Sequence, residues 1–290
     1  MLTDRKRDAL RVPVPLTEDT HALSIVRADP EIDSREVGRE DHWVAEPDTP
    51  YYRRDLALVH HLGFGFHADD CAPGILDLLQ PVRERDGLVV ELGCGSGLLT
   101  RYLVDAGHRV IATDASPAML DLARTYAGDA REIRELVLPD DPIPEADAIV
   151  SVGHVLSYLP QAAAIDRALV AIAEALRPGG LMALDLCDLS YAEARPDFPI
   201  RARVADEWAI ITERSSPSQD TFVRQMTVFL RNEDGSWRRD DERHENVLID
   251  TSLVPALLAE HGVRATVETS FGGGVQLQDG LHAIVGTKDA

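Results

Sequence analysis

Three glycines stand at alternate positions, Gly93, Gly95 and Gly97, directly after the run Leu88-Val89-Val90-Glu91-Leu92. Glycine adopts backbone conformations closed to other residues and lets a ligand approach the main chain closely. The run before it is apolar, rich in β-branched residues and of strand length. After Gly97, the residues Leu98, Leu99, Tyr102, Leu103 and Ala106 fall on one side of a helix that Gly107 stops. A strand, a glycine turn and a helix N-terminus together make a nucleotide-type site in an α/β sheet. The dinucleotide fingerprint wants glycine or alanine three positions after the second glycine, and Leu98 stands there. A nicotinamide enzyme is disfavoured on that ground. Gly272-Gly273-Gly274 is followed by neither a helix start nor a lysine, so it reads as a flexible turn rather than a phosphate loop. His60, His61 and His67 show no metal-ligand spacing, and no metal is expected.

The spacing from Glu91 to Gly97 is Glu-x-Gly-x-Gly-x-Gly. It resembles the first motif of the class I S-adenosylmethionine (SAM)-dependent methyltransferases. The resemblance extends downstream. His108 to Asp114 is similar to the second strand with its terminal acid, and Ser116-Pro117-Ala118-Met119-Leu120 to the helix start that follows. Ala146 to Ser151 resembles the fourth strand, and Leu176-Arg177-Pro178-Gly179-Gly180 the turn before the fifth. These blocks keep the family's order over residues 85–190. The fold this implies is α/β, a doubly wound, mostly parallel seven-stranded Rossmann-like sheet.

The resemblance implies SAM as cofactor and its demethylated form, SAH, as product. Gly93, Cys94, Gly95 and Gly97 would bring bare main chain to the ligand. Asp114, followed by Ala115 and Ser116, would accept both ribose hydroxyls, with a helix N-cap as the plainer role for that acid. Glu91 would order the loop or reach the amino-acid end through water. Met119 and Leu136-Val137-Leu138 would sandwich the adenine. Many relatives place an aspartate after the third strand for the adenine amino group. Here that place holds Val137 or Leu138, with Asp140 and Asp141 later, so main chain of residues 136–138 is expected to make the contact. Val152 and Gly153 follow the fourth strand and would line the same pocket. Tyr52 and Phe66 are candidate lid residues over the methionine end, against ordinary packing on the sheet.

Methyl transfer is an in-line displacement governed by positioning, and a base helps only where the acceptor keeps its proton. His154 lies in the motif that stands beside the methyl group in this family, and is the first candidate base, with an ordinary pKa in the useful range. Pocket lining through its backbone is the alternative. His244 is a second candidate, against the plainer reading of a solvated charged strand face. Asp188 and Tyr191 are expected to line the acceptor cavity. The partner implied is a small-molecule methyl acceptor, methylated at oxygen or nitrogen, with a homodimer left open. A protein that binds SAM or SAH to regulate or scaffold, without transfer, is the competing reading.

Composition sets outer bounds. The chain has 290 residues, 29 basic and 50 acidic, for a net charge of −21. Such a surface repels phosphate backbones and argues against a nucleic-acid acceptor. Three widely spaced cysteines argue for a reducing compartment rather than a disulfide framework. No run is apolar enough for a signal peptide or a membrane span, so a cytoplasmic protein without membrane partners is expected.

The elements that must position these residues follow from periodicity. Residues 1–50, charged and punctuated by proline, are expected to form an N-terminal arm. Residues 51–84 read as a helical cap in two pieces, the second capped by Asp69 or Asp70. Residues 85–190 and 246–290 form the core, with a strand over 133–138 and a closing antiparallel pair near 263–270 and 281–287. Residues 191–245 are expected as an antiparallel β insertion roofing the acceptor site. Its strands run over 203–212, 221–230 and from 237 onward, with a hairpin turn at Asn232-Glu233-Asp234-Gly235.

Overall fold

A computed structural model describes residues 51–193 and 199–290. The arm expected over residues 1–50 lies outside the described residues.

The chain opens with two helices, α1 (Arg54–Gly63) and α2 (Phe66–Glu84). Strands and helices then alternate: β1 (Leu88–Leu92), α3 (Leu98–Asp105), β2 (Arg109–Asp114), α4 (Pro117–Tyr126), β3 (Glu132–Glu135) and β4 (Ala146–Ser151). A 3₁₀ turn (Val155–Tyr158), α5 (Ala162–Ala175), β5 (Leu176–Cys187) and α6 (Ser190–Glu193) complete that half. A meander of β6 (Arg201–Val204), β7 (Trp208–Ser218), β8 (Thr221–Arg231) and β9 (Trp237–Val247) follows. The chain closes with α7 (Val254–Glu260), β10 (Val263–Glu268) and β11 (Leu281–Lys288).

The main sheet has seven strands in the order β10-β11-β5-β4-β1-β2-β3. The five from β3 to β5 are parallel, while β11 pairs antiparallel with both β5 and β10. Both faces are covered, which is why β1 carries neighbouring fully buried residues, Val89 and Val90. Val90, Ile149 and Leu184 pack against Ile165, Leu169 and Ile172 of α5 and Leu258 of α7. On the other face Val89, Val110 and Val150 pack against Ile75 and Leu79 of α2, Leu103 of α3 and Leu120 of α4. Each such aliphatic side chain contributes about 1.5–3 kcal/mol by leaving water. The strand order reverses between β1 and β4. In open α/β sheets that reversal opens a crevice beyond the strands' carboxyl ends.

β6 to β9 form a separate four-stranded antiparallel sheet. One face of it changes character along its length. Trp208, Ile210, Val228 and Leu230 pack on Leu56 and Val59 of α1. Farther along β9, Arg238, Asp240 and Glu242 hold the start of α1 instead. Arg238 pairs with Asp55 through two bonds of 2.7 and 2.9 Å, and Asp240 with Arg53 at 2.6 Å. Glu242 accepts the main-chain N–H groups of Tyr52 and Arg53, each at 2.8 Å. Since α1 has no side-chain cap of its own, this carboxylate takes that part from a distant strand.

Several elements depart from the sequence reading, among them β5, which begins at Leu176 and takes in the run Leu176–Gly180 expected as a turn. α2 begins at Phe66, not at an acidic cap, because Asp69 instead accepts the hydroxyl of Tyr102 at 2.8 Å. β3 ends at Glu135, because Asp141 takes the N–H of Val137 at 2.8 Å and turns the chain there. The strand expected over 203–212 is two, since Ala205 N–H closes on Trp208 O and folds β6 back on β7. The loop at Gly272–Gly274 is packed: a Cβ on Gly273 would stand 2.8 Å from Gly74 N on α2.

Candidate active site

Two turns meet at the strand-order reversal. The first follows β1. Gly93, Gly95 and Gly97 all have positive φ, at 66°, 54° and 83°. A side chain at Gly93 would run into Val155, and one at Gly97 would stand 3.0 Å from Ala127. At Gly95 the nearest atom to such a Cβ is Met119 Sδ at 4.0 Å, so open space lies over this main chain. Below the turn, Glu91 is buried, and Thr100 Oγ1 donates to it at 2.6 Å, tying β1 to α3. Burial, with the nearby charge of Asp114, pushes the Glu91 carboxyl up to about 8.

Asp114 ends β2 beside this turn. Its Oδ2 accepts Gly95 N–H and its Oδ1 accepts Ser116 N–H, both at 2.8 Å. Burial pushes it above the ordinary carboxylate value, against these N–H groups. Ser116 caps α4, accepting Met119 N–H at 3.2 Å, and donates to Tyr52 O at 2.8 Å. Cys94 N–H is held by Thr113 O. Leu136 N–H bonds Asp114 O, which brings the third-strand loop alongside. The main chain of Val137 is engaged on both sides: Asp141 takes its N–H, and its carbonyl accepts from residues 140 and 141. Of the main chain expected at the adenine, that of Val137 and the N–H of Leu136 are thus already engaged within the protein.

The second turn follows β4 through Val152, Gly153 and His154. Gly153 has φ 104° and His154 φ 48°. A left-handed conformation costs a non-glycine residue about 1–2 kcal/mol. Asp185, fully buried on β5, holds this turn by accepting the N–H of His154 at 2.6 Å and of Gly153 at 3.1 Å. The same carboxylate bonds His67 Nε2 on α2 at 2.8 Å. Burial alone would raise Asp185, but the His67 bond and charge hold it below the ordinary range. Burial alone would lower His67, but Asp185 lifts it to about 10. His61 reaches the first turn through Ser96 Oγ at 2.9 Å. The helical cap thus touches both turns through histidines whose spacing carried no signal.

Tyr52, with φ 59°, bridges to the insertion sheet. Its hydroxyl pairs with that of Tyr158 at 2.9 Å, and its ring meets His244 at 4.7 Å and His60 at 5.0 Å. Tyr158 stacks near His154 at 5.9 Å and hydrogen-bonds Arg224. Burial and the Arg224 charge push His154 down to about 3, out of the range expected for a base at neutral pH. His244 is not on a solvated face. It is fully buried, with Nε2 bonded to Glu242 Oε2 at 2.9 Å. Burial lowers its pKa, opposed by that carboxylate. With Nε2–H donated to Glu242, Nδ1 is left as an acceptor.

The remaining expected residues divide. Tyr191 lies 6.3 Å from His154, near the cluster. Asp188 is spent on structure: it accepts from Ser190 and Thr251, and these bonds, against burial, hold it down at about 2. Phe66, nearly half exposed, packs near Phe64 and lines a small cavity with Phe271 and Leu277.

Residues 89–180, which hold both turns, match the family described as methyltransferase domain. This stretch is similar to methyltransferase domains, and it sits in a sheet of the class I, Rossmann-like fold. An uncharacterised methyltransferase of Mycobacterium tuberculosis is 32% identical over 139 residues, 46% of this chain and 53% of that protein. The malonyl-[acyl-carrier protein] O-methyltransferase of Pectobacterium atrosepticum is 30% identical over 161 residues, 53% of this chain and 62% of the relative. The chain spans little more than half the length of the first of these curated relatives. Among solved structures, the sugar N-methyltransferase KedS8 from a Streptoalloteichus species has the same fold, with a TM-score of 0.67 at 17% identity. That match covers 83% of this chain and 96% of the other. The matched stretch holds the glycine turn, Asp114 and the turn after β4 in the order the sequence suggested. Among the described residues, no helix is long and apolar enough to cross a membrane.

Proposed function

We propose that this chain transfers the methyl group of SAM to an oxygen or nitrogen atom of a small molecule. The observation that carries this reading is the left-handed glycine turn closed by Asp114, at the sheet's reversal and within the methyltransferase domain. The names of the O- and N-methylating relatives are consistent with a small or carrier-borne acceptor.

The residues present fit the cofactor. Bare main chain at Gly95 faces open space, and each Asp114 oxygen, having accepted one N–H, retains capacity for a hydroxyl. Glu91 takes the loop-ordering role rather than reaching a ligand. When bound, SAM supplies an electrophilic methyl on a sulfonium. The chain's own part is to fix the acceptor opposite that methyl, at about 3–3.5 Å, and to exclude water. The cap and the β6–β9 sheet perform that enclosure. For an acceptor that still holds its proton, His244 Nδ1 is the base, oriented by Glu242 in the arrangement of a carboxylate-held imidazole. His154 shapes the turn through its backbone instead. Calorimetry with SAM and SAH tests the reading. Micromolar binding abolished by Asp114→Ala supports it, and an absence of heat from the wild-type protein overturns it.

A further inference from the structure

Five buried polar atoms without a hydrogen-bond partner gather around Tyr52 and Tyr158: His60 Nδ1, His154 Nδ1, His244 Nδ1, Arg224 Nε and Asn246 Nδ2. Folded proteins leave few such atoms unsatisfied, and each costs about 1–3 kcal/mol. Gathered in one place, they mark where a ligand supplies the missing partners.

Arg224 gives that ligand a charge. Its Nη2 donates to Tyr158 and Asn246, and its buried Nε has no acceptor among the described residues. Nor does any described carboxylate pair with it. Asp185 is taken by His67 and two N–H groups, and Glu242 by His244 and two more. A guanidinium cannot shed its proton, and the ring of Tyr158, 5.6 Å from it, offers a π face but no anion. Asn246 spends its oxygen on Arg224, so its free amide hydrogens add to the same donor array.

We propose that the methyl acceptor carries an oxyanion, a carboxylate or phosphoryl group, held by Arg224 and Asn246. This rests on the methyltransferase reading above. The anchor sits on β8 and β9, and β9 also carries His244, so one rigid sheet sets the distance from the oxyanion to the base.

The test uses SAH-loaded protein with 15N-labelled arginine, titrated separately with benzoate, inorganic phosphate and neutral benzyl alcohol. The Arg224 Nε–H resonance, assigned by its loss in Arg224→Lys, is expected to shift with an anion and not with the alcohol. The two anion arms show which oxyanion fits. Affinity for that anion is expected to fall by about tenfold or more in Arg224→Met. A resonance that moves with neither anion, or equal anion affinity in Arg224→Met, overturns the proposal. If Arg224→Met does not fold, the wild-type resonance decides alone. SAH calorimetry on the same sample reads the parent assignment separately, and the anion titration can be repeated without SAH.

Discussion

Asp185 holds the main-chain N–H of His154 at 2.6 Å while its other oxygen bonds His67 at 2.8 Å. A partly buried ion pair between β5 and α2 thus fixes the left-handed turn after β4. Its two pKa shifts set a pH window. His67, ordinarily near 6.5 and lifted to about 10, contributes stability fully below pH 6.5 and loses it as pH rises toward 10. Asp185, held below its ordinary value, contributes above that value and loses it in acid. His67→Gln should lower stability at pH 6 by about 1.5–3 kcal/mol, because it removes the charged partner and leaves Asp185 the two main-chain N–H groups alone. It should also flatten the decline in melting temperature between pH 6.5 and 10. Thermal melts by circular dichroism across pH check both effects.

Two glycines of one turn should fail differently. Gly93→Ala drives a methyl into Val155 in a left-handed conformation, and should lose about 2 kcal/mol in denaturant melts. Gly95→Ala meets no protein atom closer than Met119 Sδ at 4.0 Å, so its stability loss should be nearer about 1 kcal/mol. Its SAH affinity should fall more than that of any variant of equal stability, because the methyl occupies the space over the main chain.

Asp114→Asn keeps the shape and removes the charge. A hydrogen bond to an ionised group is worth about 1.5–3 kcal/mol. Two ribose hydroxyls relying on it predict SAH binding weaker by at least about tenfold, measured by calorimetry. Affinity within twofold of wild type would remove Asp114 from the ribose.

With an acceptor found by labelled-SAM turnover, His244→Gln should lower kcat by about 10²–10⁴ for a protonated acceptor. His154→Gln should lower it far less. The reverse order would move the base to His154.

Much of this architecture could be read beforehand, and the limits have physical causes. Strands buried on both faces announce themselves as apolar runs, and β1, β4 and β5 do so. The site beyond the parallel sheet was harder. β9 reads Trp237-Arg238-Arg239-Asp240-Asp241-Glu242-Arg243-His244-Glu245, with charge on both faces, so alternation cannot tell inside from outside. Its partner did carry a sign: Arg224 stands in the row of Phe222, Met226, Val228 and Leu230, where a charge must face inward. Asp185 had a similar one, between Leu184 and Leu186 in a strand buried on both faces. His67 had none, since its role exists only once α2 crosses the end of β5.

The even-numbered side chains of β9 have an engineering consequence. Positions 238, 240 and 242 fasten the first helix, and 244 and 246 carry unpartnered polar atoms near Tyr52 and Tyr158. Grafting a foreign sheet in place of β6 to β9 would unfasten that helix as well. A working chimera must exchange residues 51–55 together with the insertion, as one cassette.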